Sequence, residues 1–453
     1  DPVAVAWFLS LGYVPDPHCI FRGVRKLAPG HRMSWSRAGG LEVSEYWTPV
    51  RPEVAISEAD AVTELRRLLT DAVRSHLESE VPLGAFLSGG LDSSTVVALM
   101  AREATRKVQT FSIGFDDAGY NEAPHAAAVA REIGTDHTEL VVRPDADRLV
   151  EGVIACFDEP FADPSALPTY LVAELARRKV TVALSGDGGD ELFAGYTRYA
   201  ELMSRRTLPR LARSGLGAMG RQLPHGAYGR NRILDLGRSR RGRYAATVAI
   251  ALGERDGGAA RPEVAGLLPR LDALLDPWFA RAADRDFLTQ MTLVDLQTYL
   301  PGDILTKVDR TSMAVSLEAR VPLLDHPLVE FAVSLPSSLK LRGSTGKWIF
   351  RQAISGIVPD IVLTKPKQGF AVPLPEWFRG DLRHRTEALL RPDSPIYAFV
   401  APRAVARLVA EHQARRRDHS WIIWRLLVLD VWVSALRTGI LGRSTPLFAA
   451  NAA

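Results

Sequence analysis

Two glycine-rich, acidic corners carry the residue types from which a nucleotide site could be built. The first is Ser88-Gly89-Gly90-Leu91-Asp92-Ser93-Ser94. It follows an apolar run, residues 81–87, that reads as a buried strand, and it precedes Thr95-Val96-Val97-Ala98-Leu99-Met100, which reads as a helix start. A strand, a glycine turn and a helix N-terminus make an anion site, because free N–H groups and the positive end of the helix dipole face the turn. Two glycines let the backbone approach a ligand, and three serines add hydroxyl donors. Asp92 is the unusual member. A carboxylate beside a phosphate is repulsive unless a cation lies between them, so the loop predicts a metal-bound polyphosphate. A helix cap accounts for one Asp or Ser, not for the whole run. No Gly-Lys-Ser/Thr follows, which excludes a Walker loop, and the dinucleotide fingerprint is absent too.

The second corner is Leu184-Ser185-Gly186-Asp187-Gly188-Gly189-Asp190-Glu191. Alone, it could be a tight turn and a helix cap. Beside a phosphate loop containing Asp92, its acids acquire a purpose: Asp92 and Asp190 can share one Mg²⁺, a hard cation that favours carboxylate and phosphate oxygens.

These corners need a scaffold that brings strand ends together. Ser57 is expected to cap a helix running to about residue 80, with Val62, Leu65, Leu68, Leu69 and Val73 at helical spacing. Strands at 81–87, 108–115, 137–142 and 180–184 then alternate with helices at 92–105, 122–133 and 145–157. Such alternation predicts an α/β fold: right-handed βαβ units and a doubly wound parallel sheet with helices on both faces. Ligands of such sheets bind beyond the carboxyl ends of the strands, where both corners fall. From residue 286 onward the chain reads mainly helical. Residues 1–52 carry two short strands, 32–35 and 41–43, around a Gly39-Gly40 turn, and are too few to bury a core alone.

Composition bounds the rest. The 453 residues, nearly half hydrophobic, imply one large or two domains. Cys19 and Cys156 are far apart and in no metal spacing, which fits a reducing, cytoplasmic compartment rather than a disulfide scaffold. The most apolar late segment, 421–436, is interrupted by Arg425 and Asp430, so it reads as a buried helix rather than a membrane span. A net charge of +4 says little, yet only eight lysines stand among 56 basic residues. A chain so partial to arginine keeps lysine where a compact ammonium is wanted. Four of the eight are Lys307, Lys347, Lys365 and Lys367. Eleven arginines between Arg205 and Arg243 suggest either an RNA face or, as the preferred reading, a solvated helical surface.

The first corner resembles the pyrophosphate loop of N-type ATP pyrophosphatases, and its wording is most similar to the asparagine synthetase family. The resemblance extends, in order, through Asp158-Glu159-Pro160-Phe161-Ala162-Asp163-Pro164-Ser165 and Leu305-Thr306-Lys307-Val308-Asp309-Arg310. It continues through Glu318-Ala319-Arg320-Val321-Pro322-Leu323-Leu324-Asp325, Gly346-Lys347 with Arg351, and Lys365-Pro366-Lys367-Gln368-Gly369-Phe370. It implies an N-type ATP pyrophosphatase domain at 53–445. Residues 1–52 resemble the closing segment of a class II, Ntn-type glutaminase domain; such glutaminases use an N-terminal cysteine, whereas this chain starts at Asp1, so no glutaminase activity is expected of it as given.

What the resemblance implies for the site is specific. Ser88, Gly89, Gly90, Leu91, Asp92, Ser93 and Ser94 hold the pyrophosphate of ATP, with Lys347 and Arg351 as further phosphate or structural partners. Phe86, Ile113, Ser185 and Gly186 contact adenosine, and Asp92 and Asp190 hold Mg²⁺. Lys367 aligns with the lysine the family places on the departing pyrophosphate; otherwise it is a surface lysine. Asp187 occupies a position where glutamine-dependent asparagine synthetases often carry a glutamate assisting ammonia attack, and where β-lactam synthetases carry a tyrosine. The partners implied are ATP, aspartate or a related carboxylate, and glutamine or ammonia, with a homodimer as an open expectation and neither nucleic acid nor membrane. The implied reaction is amidation of aspartate through β-aspartyl-AMP. An amide or lactam former acting on another carboxylate, in natural-product or surface-polymer assembly, is the alternative. A tRNA-modifying ATP pyrophosphatase would need a cysteine near the loop or paired cysteines, and neither is present. A degenerate binding protein is opposed by two intact corners.

Overall fold

The computed structural model describes residues 1–115, 121–142, 146–224, 227–249, 260–261, 264, 266–267, 271–365 and 372–439. Its named strands are β1 (His31–Ser36), β2 (Gly40–Glu45), β3 (Leu83–Phe86), β4 (Gln109–Phe115), β5 (Asp136–Val142), β6 (Val182–Leu184) and β7 (Glu318–Arg320). β1 and β2 form an antiparallel hairpin, with Ser36 opposite Gly40. The other five form one parallel sheet in the order β5-β4-β3-β6-β7.

That order contains a reversal. From β3 the chain steps outward through β4 to β5, then returns to place β6 on the opposite side of β3. Connections leaving neighbouring strands in opposite directions open a crevice at their carboxyl ends, and here it lies between β3 and β6. Both glycine corners flank that crevice.

The expected elements are present, and their differences have local causes. Ser57 Oγ accepts from the Asp60 N–H, and helix Glu58–His76 buries Leu65, Leu68, Leu69 and Val73. The helix ends before residue 80: at Leu77 the N–H turns to the Arg74 carbonyl, three residues back, which closes the last turn. The strand expected at 81–87 is shorter because Pro82 has no N–H to give; its carbonyl instead receives the N–H groups of Thr181 and Val182. β7 went unread: three residues with exposed or half-buried side chains carry no periodicity, and only pairing with β6 makes them a strand.

Helices cover both faces. Glu58–His76, Leu91–Glu103 and Ala123–Ile133 bury their apolar sides in one core, together with Leu328, Ile349 and Phe350. Ala166–Arg177 and the Leu149 to Ile154 turns fill the other, with Phe111 and Ile113 of β4. That second core also takes in the two ends of the described chain. Helix Pro2–Leu11 buries Trp7, Phe8 and Leu9 there, and helix Ser420–Thr438 buries Trp424 and Leu427. The guanidinium of Arg425, buried in the apolar run, donates to the Leu9 and Ser10 carbonyls at 2.9 and 2.6 Å, satisfying the C-terminal end of the first helix. Asp430 accepts from Ser394 Oγ at 2.6 Å. The two charges that interrupted the run are thus partnered inside the protein. Among the described residues no helix is long and apolar enough to cross a membrane, and both cysteines are free.

A one-turn helix, Ser337–Lys340, leads toward the loop that carries Lys347. Lys340 is 1% exposed. Burial, reinforced by the Arg285 guanidinium, pushes its amine down to about 7 from an ordinary 10.5. Between those two values the unfolded chain binds more protons than the folded one, so this group makes stability rise with pH. Lys340→Met is expected to stabilise the protein most below about pH 7 and progressively less toward pH 10. Urea midpoints across that range measure it, and a variant that keeps the wild-type slope contradicts a buried neutral amine.

Candidate active site

The two corners touch through their backbones. A Cβ on Gly186 would lie 2.6 Å from the Ser93 nitrogen and 2.8 Å from the Asp92 carbonyl carbon. One on Gly189 would lie 2.3 Å from Asp92 Oδ1. No side chain fits at either crossing, so glycine is required by contact with main chain and carboxylate. Ser185 leaves β6 with its N–H on the Arg320 carbonyl of β7 at 2.8 Å, so the added edge strand steadies this corner.

The first corner holds itself in shape. Gly90 precedes helix Leu91–Glu103, which places Asp92 in the first turn. Ser88 and Ser93 share a hydroxyl contact of 3.0 Å, and the Gly90 N–H reaches Ser88 Oγ. Gly89 has a positive φ of 73°, and its carbonyl meets His125 Nε2 at 3.1 Å.

Contact of the corners brings two acids together. Lys347 Nζ lies 2.7 Å from Asp190 Oδ1 and is also hydrogen-bonded to Asp92 Oδ2. One ammonium thus bridges the two carboxylates. Burial alone would discharge Lys347, but the Asp190 and Asp92 carboxylates outweigh it and hold the amine above its ordinary value. Lys347 itself sits at φ 56°, with its N–H on the Phe193 carbonyl at 2.8 Å.

A cavity of about 930 Å³ opens over this crossing. Of the sequence-expected residues it is lined by Phe86, Ser88, Gly90, Leu91, Asp92, Ser93, Ile113, Ser185, Gly186, Asp187, Asp190 and Lys347. Gly89 and Ser94 are not among its lining. Gly89 shapes the turn, and Ser94 is wholly buried in the helix. Lys367 lies outside the described residues. Arg351 lines the cavity and donates to the Leu363 carbonyl at 3.0 Å. Asp187 accepts from Ser185 Oγ, which aims its carboxylate.

Several lining groups were not assigned a role from the sequence. Lys307 Nζ bonds Asp163 Oδ2 at 2.9 Å and Ser165 Oγ at 2.8 Å. Burial works against the Asp163 carboxylate, but Lys307 and Ser165 hold it below the ordinary range. Asp303, on the π-helical turn Leu300–Leu305, lies outside the lining; burial and then Asp163 push it well above that range. Its Oδ1 is buried without a partner among the described residues. Lys365 ties the first corner to Glu122, bonding the Ser88 carbonyl at 3.4 Å and Glu122 Oε1 at 2.9 Å. Glu191 accepts from Tyr196 Oη at 2.6 Å and is pushed up to about 7 by burial and by Asp190. The available signal was lysine scarcity. Lys307, Lys347 and Lys365 all line this one cavity although 40 residues separate the first two.

Among the described residues no three His, Cys, Asp or Glu side chains are grouped to hold a metal alone. Two converging carboxylates fit instead a hard cation whose remaining ligands are substrate phosphates and water.

Residues 64–434 match the family described as asparagine synthase. The chain is similar to asparagine synthetase [glutamine-hydrolyzing] 1 of Bacillus subtilis, 33% identical over 442 residues, covering 96% of this chain and 69% of that protein. A Mycobacterium bovis protein provisionally named as a glutamine-hydrolysing asparagine synthetase is 36% identical over 454 residues, covering 95% of this chain and 67% of its own. "Amidase chyE" of Penicillium rubens is 27% identical over 421 residues, covering 83% of this chain and 62% of its own.

Gly186→Ala tests the crossing. A methyl there must displace the Ser93 amide, so nucleotide affinity is expected to fall about tenfold or more, at roughly 1–3 kcal/mol of destabilisation. Nucleotide titration and thermal midpoints read both effects; unchanged affinity would mean that the corners do not need this contact.

Proposed function

Because the chain belongs to the asparagine synthase family and is therefore a ligase, we propose that it amidates aspartate to asparagine through β-aspartyl-AMP, releasing AMP and pyrophosphate. The observation that carries this reading is the convergence of Asp92 and Asp190 on the Lys347 ammonium beside a strand-turn-helix anion site.

In this reading the nucleotide lies across the crevice. Adenosine rests against the main chain of Phe86 and Ile113 and against Ser185 and Gly186. The pyrophosphate lies on the first corner, Ser88 to Ser94, over the amino end of helix Leu91–Glu103. Asp92 and Asp190 would hold Mg²⁺, which would supply positive charge against the phosphates. Lys347 keeps the two carboxylates compatible and supplies an ammonium to the same region. Lys367 belongs to the same proposal, as the second ammonium on the departing pyrophosphate.

The side-chain carboxylate of aspartate attacks the α-phosphorus, and the bond to the bridging oxygen of pyrophosphate breaks. Charge grows on the leaving group, so fixed N–H groups and ammonium ions there bind the transition state more strongly than the ground state. Ammonia, free or derived from glutamine, then attacks the acyl carbon, and AMP departs. Asp187, oriented by Ser185, is assigned the proton from the incoming amine. Its side chain is one methylene shorter than glutamate, so the corner backbone must supply the reach. The Lys307, Asp163 and Ser165 cluster lines the same cavity and offers the charge complement a polar acceptor needs.

The division into a glutaminase-type segment, 1–52, and an N-type ATP pyrophosphatase domain, 53–445, is part of the proposal. The parallel sheet with its reversal between β3 and β6 supports the second part. The β1–β2 hairpin, with Trp35 72% exposed, supports the first. The two parts interlock, since helix Pro2–Leu11 shares a core with Ser420–Thr438.

With ATP, Mg²⁺, aspartate and ammonium, the protein is expected to yield asparagine, AMP and pyrophosphate in equal amounts. Pyrophosphate release with a different carboxylic acid, and none with aspartate, would transfer the assignment to that acid. Asp92→Asn should lower pyrophosphate formation about a hundredfold or more, as loss of one charge-stabilising group does. Asp187→Ala should slow amide formation about a hundredfold while ATP–pyrophosphate exchange persists. Equal loss of both steps in that variant would remove Asp187 from amination.

A further inference from the structure

Between Glu201 and Asp235 the chain carries seven arginines and no acidic residue. Two helices occupy this stretch, Arg210–Gln222 and Arg230–Leu236, and they pack closely on each other. A Cβ on Gly220 would lie 2.8 Å from Leu234 Cδ2, and one on Gly237 would lie 2.7 Å from the Gly217 nitrogen. Gly217 and Gly220 therefore mark the inner side of the first helix. At 100° per residue, Leu211, Gly215, Ala218 and Met219 fall on the outer side, and all four are exposed. Leu211 is 89% exposed, and Tyr228, between the helices, is fully so. A helix on a soluble protein normally turns its polar face outward. This one does the reverse, with exposed Arg210 and Arg221 along one flank and exposed Arg232 on its neighbour.

Each candidate covering meets that surface differently. A second copy would bring the same arginines against themselves, and like charges repel. A nucleic acid would satisfy the arginines but leave Leu211 and Met219 in water. An anionic lipid surface takes both, because apolar side chains enter the headgroup–acyl boundary while arginines meet phosphates. We propose that the helix pair Arg210–Gln222 and Arg230–Leu236 is a docking surface for an anionic bilayer. The chain lies on the surface through Leu211, Met219 and Tyr228 and does not cross it. This departs from the expectation that the arginine-rich stretch is only a solvated face, and it does not depend on the identity of the carboxylate acceptor.

The test is co-sedimentation of the purified chain with vesicles. Phosphatidylcholine alone is compared with equal parts phosphatidylcholine and phosphatidylglycerol, at low and moderate salt. The chain is expected to sediment with the anionic vesicles only. Leu211→Glu combined with Met219→Glu should weaken that binding about tenfold or more, since each large apolar side chain withdrawn from water is worth at least that. Arg210→Gln combined with Arg221→Gln should weaken it too and reduce its salt dependence. All four positions are exposed, so thermal midpoints and ATP–pyrophosphate exchange should match wild type. Absence of binding to anionic vesicles overturns the proposal, as does equal binding by the Leu211 and Met219 variant. Tight binding to polyuridylate without vesicle binding would assign the surface to RNA. A concentration-dependent dimer lost in the same variant, again without vesicle binding, would assign it to a second copy.

Discussion

Everything at the cavity depends on one contact: two glycine corners pressed together where the sheet reverses direction. β3 and β6 are neighbours, so their outgoing turns share one crevice. At the crossing the backbone of Gly186 meets that of Ser93, and Gly189 meets the Asp92 carboxylate. That approach brings Asp92 and Asp190 to one point, which electrostatics would otherwise forbid. The Lys347 ammonium between them answers the repulsion, and the left-handed backbone at Lys347 aims the side chain there.

The same economy of charge governs the cavity lining and the buried groups outside it. A buried charge survives only when paired and hydrogen-bonded. Lys307 stays charged against Asp163, and Asp303 beside them is driven toward its neutral form. Glu122 meets Lys365, and Asp295 receives the hydroxyls of Tyr199 and Tyr244 together with Arg198. These pairings join segments far apart in sequence, so they form only when the whole fold is present. A polar acceptor entering the cavity meets groups already oriented, which lowers the reorganisation needed when charge shifts during reaction.

The ends of the described chain support this arrangement from behind. Arg425 closes the carbonyl end of the first helix, and Trp7, Phe8 and Trp424 fill the core beneath β4. Asp418, Ser420 and Trp421 reach from the same late segment to the cavity rim. The segment that stiffens the sheet therefore also shapes its opening. By contrast, the arginine-rich helices at 210–236 pack chiefly on one another and present apolar side chains outward, a surface whose chemistry is separate from the crevice.

The residue order alone determined the elements that local chemistry controls. Alternating apolar runs and helical spacing identified the parallel sheet, and Ser57, the glycine turns and the interrupted late apolar segment behaved as their side chains require. The two corners were legible because glycine, serine and aspartate at a strand end have few other uses. Tertiary structure alone decided what local signals do not encode. It added Glu318–Arg320 as a strand through pairing with β6, and placed Lys347 rather than another lysine between Asp92 and Asp190. It also gathered Lys307, Asp163 and Asp303 into one buried cluster and left Gly89 and Ser94 off the cavity wall. Strand partners and long-range ion pairs depend on which elements become neighbours in space, and periodicity along a chain holds no record of that.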